Sequence, residues 1–280
     1  MRRRRLPSPG SVFLTTFTLA TGVVWSFPIY WALCTAFSVD TDTVKRPPNW
    51  FPSPPVLDAF QFVLKNTRIV RWYANSVITA LVVTLLVVLL TMMAAYPLSQ
   101  LRFRGRKTLL FTFLAAFMIP QTTNLVPLFM FMNRLGLVNS YLGLILPQTV
   151  APAALINVVI YKQFFDQVPR ELREAARLDG AGETQILFRI FLPLNWGVTW
   201  AMAIVVFIWT WNNFFWPFII VSSTPMMTIP VGITQVESWY GIAYSRLMAS
   251  AMLAALPTAV VYILFHRRVA QGVAMTAGIK

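Results

Sequence analysis

Val77-Ile-Thr-Ala-Leu-Val-Val-Thr-Leu-Leu-Val-Val-Leu-Leu90 is an almost unbroken aliphatic run. In lipid every backbone polar group must be paired within its own segment, so such a run is a helix signal. A transmembrane barrel strand would alternate apolar and polar residues, and this run does not. To either side the chain stays uncharged from Trp72 to Leu101, more than the roughly 20 residues that cross a bilayer core of about 30 Å.

Five further stretches are equally free of charge: Leu6–Val39, Thr108–Asn133, Leu135–Tyr161, Ile190–Val236 and Leu247–His266. Each holds one spanning helix, and the fifth also holds an uncharged loop at Ser222–Pro225. The predicted spans are about Ser11–Phe37, Trp72–Pro97, Thr108–Met132, Tyr141–Phe165, Trp196–Val221 and a last helix ending near His266. With 57% apolar and only 11% charged residues, against roughly a quarter charged in soluble domains, an ordinary soluble enzyme is excluded. No repeat or low-complexity linker divides the 280 residues. The reading is one all-α integral membrane domain over 1–280, its core about 72–268.

The net charge of +14 resembles a nucleic-acid binder's, but its placement reads as topology. With the N-terminus inside and six alternating spans, 16 of the 23 Lys and Arg fall inside. They include Arg2 to Arg5, Arg102, Arg104, Arg106, Lys107, Arg170, Arg173, Arg177 and Arg189. Five of the seven outside lie in one loop, Asp40–Arg71. The positive-inside rule puts both termini in the cytoplasm of a multi-pass plasma-membrane protein. The basic side meets anionic lipid, and no nucleic-acid partner is predicted. Arg2–Arg5 and the apolar run after them resemble a secretory leader. The run is long for one, and it reads as an uncleaved first helix.

The residues also exclude chemistry. All nine acids lie in loops, whereas ion-coupled carriers keep an ionisable group at membrane depth. No Cys/His/carboxylate cluster suits a metal, and no serine elbow or phosphate loop is present. The sequence predicts no catalytic residue, no metal and no cofactor on this chain. Energy for uphill movement must then come from another polypeptide. Pro28, Pro120, Pro127, Pro147, Pro152, Pro217 and Pro257 fall in the predicted spans. Both simple tolerance of proline in lipid and a broken-helix path fit them.

The longest cytoplasmic segment is Asp166–Asn195, and it contains Pro169-Arg-Glu-Leu-Arg-Glu-Ala-Ala-Arg-Leu-Asp-Gly-Ala-Gly-Glu183. Pro169 suits a first helical position, Glu171 complements the helix dipole, and Gly180 or Gly182 can end the helix in a left-handed conformation. A polar helix of two to three turns follows. Its spacing is Glu174-Ala175-Ala176, three residues, Gly180, nine residues, Ile190, one residue, Leu192-Pro193. This resembles, at every fixed position, the EAA loop of bacterial ABC importer permeases. Met118-Ile-Pro120, Leu135–Pro147, Thr210–Pro217, Thr228–Gly232 and the tail Gly272–Lys280 resemble the carbohydrate branch, and within it the maltose-G-type subunits. Gln121-Thr-Thr-Asn124 is more polar than that pattern, and Arg268 stands where an aromatic is usual.

The resemblance implies six spans with a cytoplasmic coupling helix, the type I ABC importer permease fold. It implies a second, related permease subunit, two ATP-binding cassette subunits that carry ATP and Mg, and an extracytoplasmic solute-binding protein. Carried onto this chain, Glu174, Ala175, Ala176, Leu178 and Gly180 are the ATPase-coupling residues, with the tail as a second contact. Candidates for the solute path are Gln121, Thr122, Thr123, Asn124, Gln148, Asn157, Asn212 and Asn213, whose amides and hydroxyls suit sugar hydroxyls, with Trp209 for ring stacking. Interhelical pairing of the same amides and an interfacial aromatic belt are the structural readings. Alternatives are a glycerol phosphate or other polar cargo, or a membrane scaffold or assembly factor without transport.

Overall fold

The computed structural model describes residues 9–47, 49–236 and 243–276. Arg2–Arg5, Glu237 and residues 277–280 of the tail lie outside the described residues. In chain order the helices are α1 (Pro9–Ala36), α2 (Asp58–Asn66), α3 (Ile69–Gln100), α4 (Arg106–Phe117), α5 (Leu125–Arg134), α6 (Tyr141–Thr149) and α7 (Pro152–Asp166). Then follow α8 (Arg170–Leu178), α9 (Glu183–Ile186), α10 (Leu192–Leu194), α11 (Trp196–Trp211), α12 (Phe215–Ile220), α13 (Ile229–Gly232) and α14 (Tyr244–Thr276). No strand occurs among the described residues.

Three helices are long and apolar enough to cross a membrane unbroken: Gly10–Ala36, Ile69–Gln100 and Tyr244–Phe265. Three further helix pairs pass the same test only when each pair is taken together, and each is bent by more than 40° at a short break, which favours the broken-helix reading of those segments. Thr108–Met132 is broken by 83° between Arg106–Phe117 and Thr122–Arg134. Tyr141–Phe165 is bent by 47° between Tyr141–Thr149 and Ala154–Asp166. Glu183–Leu194 turns by 85° into Trp196–Trp211, and the fifth span ends its regular helix at Trp211 rather than running on to Val221.

Sequence accounts for two of the breaks directly. Pro120 is extended (φ −60°, ψ 129°), and Ala151, before Pro152, is also extended (φ −57°, ψ 147°). A proline disfavours helix at the residue before it and cannot donate to the turn behind. Pro28, Pro97, Pro147 and Pro257 sit inside continuous helices. So the prolines divide between tolerated kinks and true breaks.

The backbone groups into two compact units, Met1–Thr67 with Ile233–Ala255, and Arg68–Gly232 with Leu256–Lys280. In the first, Ala36, Ala59 and Ala249 are buried together against Phe60, Met248 and Met252. Asp40 Oδ1 accepts hydrogen bonds from the Ser245 hydroxyl at 2.9 Å and its N–H at 3.3 Å. The Arg246 guanidinium lies 3.8 Å over the Phe62 ring.

In the second unit α3 is the axis, packed against α6, α7 and α11. Its N-terminal end is strapped by the loop 222–232. Trp72 Nε1 donates to Thr224 O (2.8 Å), Asn75 Nδ2 to Pro225 O and Met227 O (both 2.8 Å), and Ser76 Oγ accepts from Ile229 N (2.8 Å). The Tyr141 hydroxyl completes Asn75 at Oδ1 (2.7 Å). These bonds satisfy loop backbone that would otherwise be buried unpaired, a cost of about 1–3 kcal/mol per group. At its C-terminal end, Gln100 Nε2 donates to Phe165 O at 2.8 Å, and the Ser99 hydroxyl to Asp166 Oδ1 at 2.7 Å.

Candidate functional site

The predicted cytoplasmic helix is α8, nine residues with no buried side chain. Pro169 is its N-cap rather than its first helical residue. Of the two glycines that could end it, Gly180 does so, at φ +83°, while Gly182 has φ −73°. Gly180 N–H bonds Arg177 O at 3.0 Å and Ala181 N–H bonds Ala176 O at 2.9 Å. This is the Schellman closure, which pairs the last helical carbonyls and favours glycine because a Cβ is strained at positive φ. Ala176 and Ala181, which that motif places together, both pack on the main core cluster.

The remaining coupling candidates face outward. Leu178 is 90% exposed, and Glu174, Ala175 and Gly180 are exposed too. Ala176 differs, because it is half-buried against the chain's own core. So the two small residues, read in the sequence as one docking surface, face different surroundings.

Behind α8 the loop is rooted deeply. Ile186, Leu187 and Phe191 are buried with Met92, Tyr96, Tyr161, Phe165, Val198 and Met202. Tyr96, Phe165 and Phe191 meet edge to face, with ring centroids 5.1–6.4 Å apart. Such pairs contribute about 0.5–1.5 kcal/mol each beyond area burial. Residues Leu187–Phe191 form a π turn, in which Leu192 N–H donates to Leu187 O. The turn leads directly into Pro193, the motif's last residue, which lacks an N–H to continue an ordinary ladder.

An ion pair not foreseen in the sequence closes the loop. Arg173 Nε donates to Glu183 Oε2 at 3.1 Å and its Nη2 donates to Glu183 Oε1. The Tyr96 hydroxyl donates to the same Oε2 at 2.5 Å. Arg173 and Tyr96 hold the Glu183 carboxyl below its ordinary range, Arg173 contributing most. The available signal was an opposite charge ten residues from Arg173 across a glycine turn.

Within the membrane segments the polar candidates separate into two places. Asn124 and Gln148 line a cavity of about 340 Å³ with Leu125, Pro127, Phe131, Pro147, Val150, Ala151 and Trp216. Gln148 is buried; its Nε2 donates to Leu144 O (2.8 Å) and its Oε1 accepts from Asn213 Nδ2 (2.8 Å). The cavity thus forms beside the α4–α5 and α6–α7 breaks, and Asn213 ties the α11–α12 break to it. Trp216 Nε1 is engaged with Gly143 O at 2.9 Å. Asn157 and Trp209 line a second cavity of about 120 Å³ with Val87, Ala154, Val205 and Val206. Thr122 and Thr123 are exposed. Asn212 is exposed and donates to Ile208 O at 2.8 Å within its own helix. The side chain of Gln121 lies outside the described residues.

Bent apolar spans, a mainly apolar cavity with two amides at their breaks and a rooted loop helix with an outward face are those of a multi-pass membrane permease. The chain belongs to the family of binding-protein-dependent transport system inner membrane components, which it matches over residues 87–274. It is 33% identical to the arabinooligosaccharides transport system permease protein AraQ of Halalkalibacterium halodurans, over 94% of this chain and 95% of that one. It is 31% identical to the lactose transport system permease protein LacG of Rhizobium radiobacter, over 96% of each. The crystal structure of a bacterial ABC transporter involved in the import of the acidic polysaccharide alginate contains a chain of the same fold. That likeness has a TM-score of 0.78 at 18% identity, covering 94% of this chain and 99% of that one. The sequence-level resemblance to carbohydrate ABC importer permeases therefore holds, and so does the all-α membrane fold.

Proposed function

We propose that this chain is the membrane-spanning subunit of an ATP-driven importer for a sugar or sugar-like solute, with α8 as the site where an ATPase subunit docks. The observation that carries the reading is α8 itself. The loop has every fixed residue of the coupling motif, and the exposed Glu174, Ala175 and Leu178 stand on a helix fastened from behind. A docked ATPase would grip Leu178 and the close surface at Ala175, while Glu174 supplies a charge to the socket. Gly180 leaves the helix end free of a side chain.

The chain then works with a second related permease, two ATP-binding cassette subunits that hold ATP and Mg, and an extracytoplasmic binding protein. Both termini are cytoplasmic by the distribution of Lys and Arg. The chain itself binds no cofactor. The solute passes the cavity that Asn124 and Gln148 line, with Asn213 bonded to Gln148, and that lining carries no charged side chain. That favours a neutral polyhydroxyl cargo, of the kind the names of the relatives carry, over a glycerol phosphate, which needs cationic partners.

Tagged purification in mild detergent tests the docking reading. The wild-type chain is expected to bring its ATPase subunits with it. Glu174→Ala weakens and Gly180→Arg abolishes that recovery, because arginine is strained at φ +83° and adds bulk to the docking end. A chain recovered alone, or equal recovery by all three forms, sinks the reading and favours a scaffold without transport.

A further inference from the structure

The outer face of α8 docks a partner; what its inner face grips is a separate question. Successive helical residues point about 100° apart, so Arg173 and Glu174 can serve different surfaces. Glu174 is exposed, whereas the Arg173 side chain is only 15% exposed and turns onto Glu183. Glu183 stands in the first turn of α9. Its carboxylate accepts from both Arg173 donors and from the Tyr96 hydroxyl, Arg173 Nε and Tyr96 sharing Oε2. Arg177, one turn after Arg173, adds a second guanidinium with Nε 3.9 Å from Oε1.

Tyr96 belongs to α3, 87 residues away in sequence from Glu183. Its ring packs edge to face on Phe191 and Phe165. One turn further on, Gln100 of α3 is bonded to Phe165 O. Hence α8 and α3 are joined through one carboxylate that accepts from both, and α3 runs on to the strap at Trp72 and Asn75.

We propose that Glu183 is a positioning residue of the transport cycle: it clamps the docking helix to α3 through Arg173 and Tyr96, so that movement of α8 is passed to the membrane cavity. Charge-assisted, forked hydrogen bonds hold orientation as well as distance, which a sliding apolar contact does not. The Ala176 and Ala181 contact alone would let α8 rock on the core; the clamp fixes its rotation. Coupling of this kind needs a contiguous physical link between the two sites, and the Glu183 clamp, α3 and the α6 helix packed on it, which carries the cavity-lining Gln148, form one. The proposal rests on the docking reading above.

The test uses the assembled transporter in lipid nanodiscs, with Cys34→Ser and a single reporter cysteine, Val150→Cys. Val150 lines the cavity and is 70% exposed. The rate of its labelling by a membrane-impermeant maleimide is compared with and without a non-hydrolysable ATP analogue. Wild type is expected to show a nucleotide-dependent change in rate. In Glu183→Gln and Arg173→Met that change shrinks roughly fivefold while the ATPase subunits still copurify. The double exchange Arg173→Glu with Glu183→Arg restores much of it. Tyr96→Phe, which keeps the ring and loses only the hydroxyl, gives a partial loss.

An unchanged nucleotide response in Glu183→Gln and Arg173→Met overturns the clamp. So does failure of Glu183→Gln to assemble while Tyr96→Phe responds normally, since the pair would then serve folding alone. Absence of ATPase subunits from the wild-type preparation instead overturns the docking reading, and the two failures are distinguishable.

Discussion

Two glycines show how tightly single positions are set. A Cβ on Gly232 would lie 2.2 Å from the Trp72 ring, and one on Gly143 would lie 2.1 Å from Leu137 O. Gly197, exposed in the first turn of α11, has open space around its ideal Cβ. Gly232→Ala and Gly143→Ala are therefore expected to destabilise by about 1–3 kcal/mol through overpacking. Gly197→Ala should stabilise by up to about 1 kcal/mol. Thermal unfolding of the detergent-solubilised protein, followed by tryptophan fluorescence, ranks the three. Equal midpoints would mean that the backbone yields at the first two sites. A double-mutant cycle with Gln148→Leu and Asn213→Leu should give a coupling of about 0.6 kcal/mol, the usual value for amides paired in a membrane protein. A coupling near zero would mean that their 2.8 Å contact does not hold the α11–α12 break in place.

At the scale of elements, the sequence made the spans legible and hid their breaks. Freedom from charge located each apolar segment, because lipid excludes charge wherever the segment runs. It does not register direction, so Thr108–Met132 read as one helix although it turns by 83°. Pro120 and Pro152 were visible, yet Pro97 and Pro257 look the same in sequence and leave their helices whole. The two outcomes differ in backbone conformation, extended at Pro120 and Ala151 and helical through Pro97 and Pro257, which the residue type alone does not signal. Helix α8 was legible because its signals are local: an acid in the first turn, a glycine at the end and a fixed motif between. Its Glu183 anchor was not, because Tyr96 lies far away in sequence. The anchor also sets a pH dependence. A carboxyl held below its ordinary pKa contributes stability above the unfolded value of about 4.3, and loses it as pH falls through the lower folded value. Glu183 is part-exposed, so the loss is modest, under about 1 kcal/mol. Amide hydrogen exchange in α8 is expected to quicken relative to that in α3 as the pH is lowered through the acidic range below 4.3. Unaltered relative protection would show that the Arg173 pair contributes nothing to holding the helix.

For the molecule as a whole, the π turn at Leu187–Phe191 has a consequence for chain length. Such a turn holds one residue more than an ordinary helical turn would, and it absorbs that residue locally, so the helix on either side keeps its phase. Deleting Phe188 would let the segment close as regular helix, and Val198 and Met202 would still face the core beside Tyr161 and Phe165. What is lost is the packing of Phe188 on that core, worth under about 3 kcal/mol for a partly buried ring. An extra alanine inside α11, after Thr199, has no such outlet. It rotates the rest of that helix by about 100° and turns Met202 off the core. The deletion should therefore leave more protein in the membrane fraction than the insertion does; equal loss from both would show that the turn holds no spare length. Splices between homologous chains should, in this sense, tolerate a mismatch of one residue at this turn and nowhere along α11.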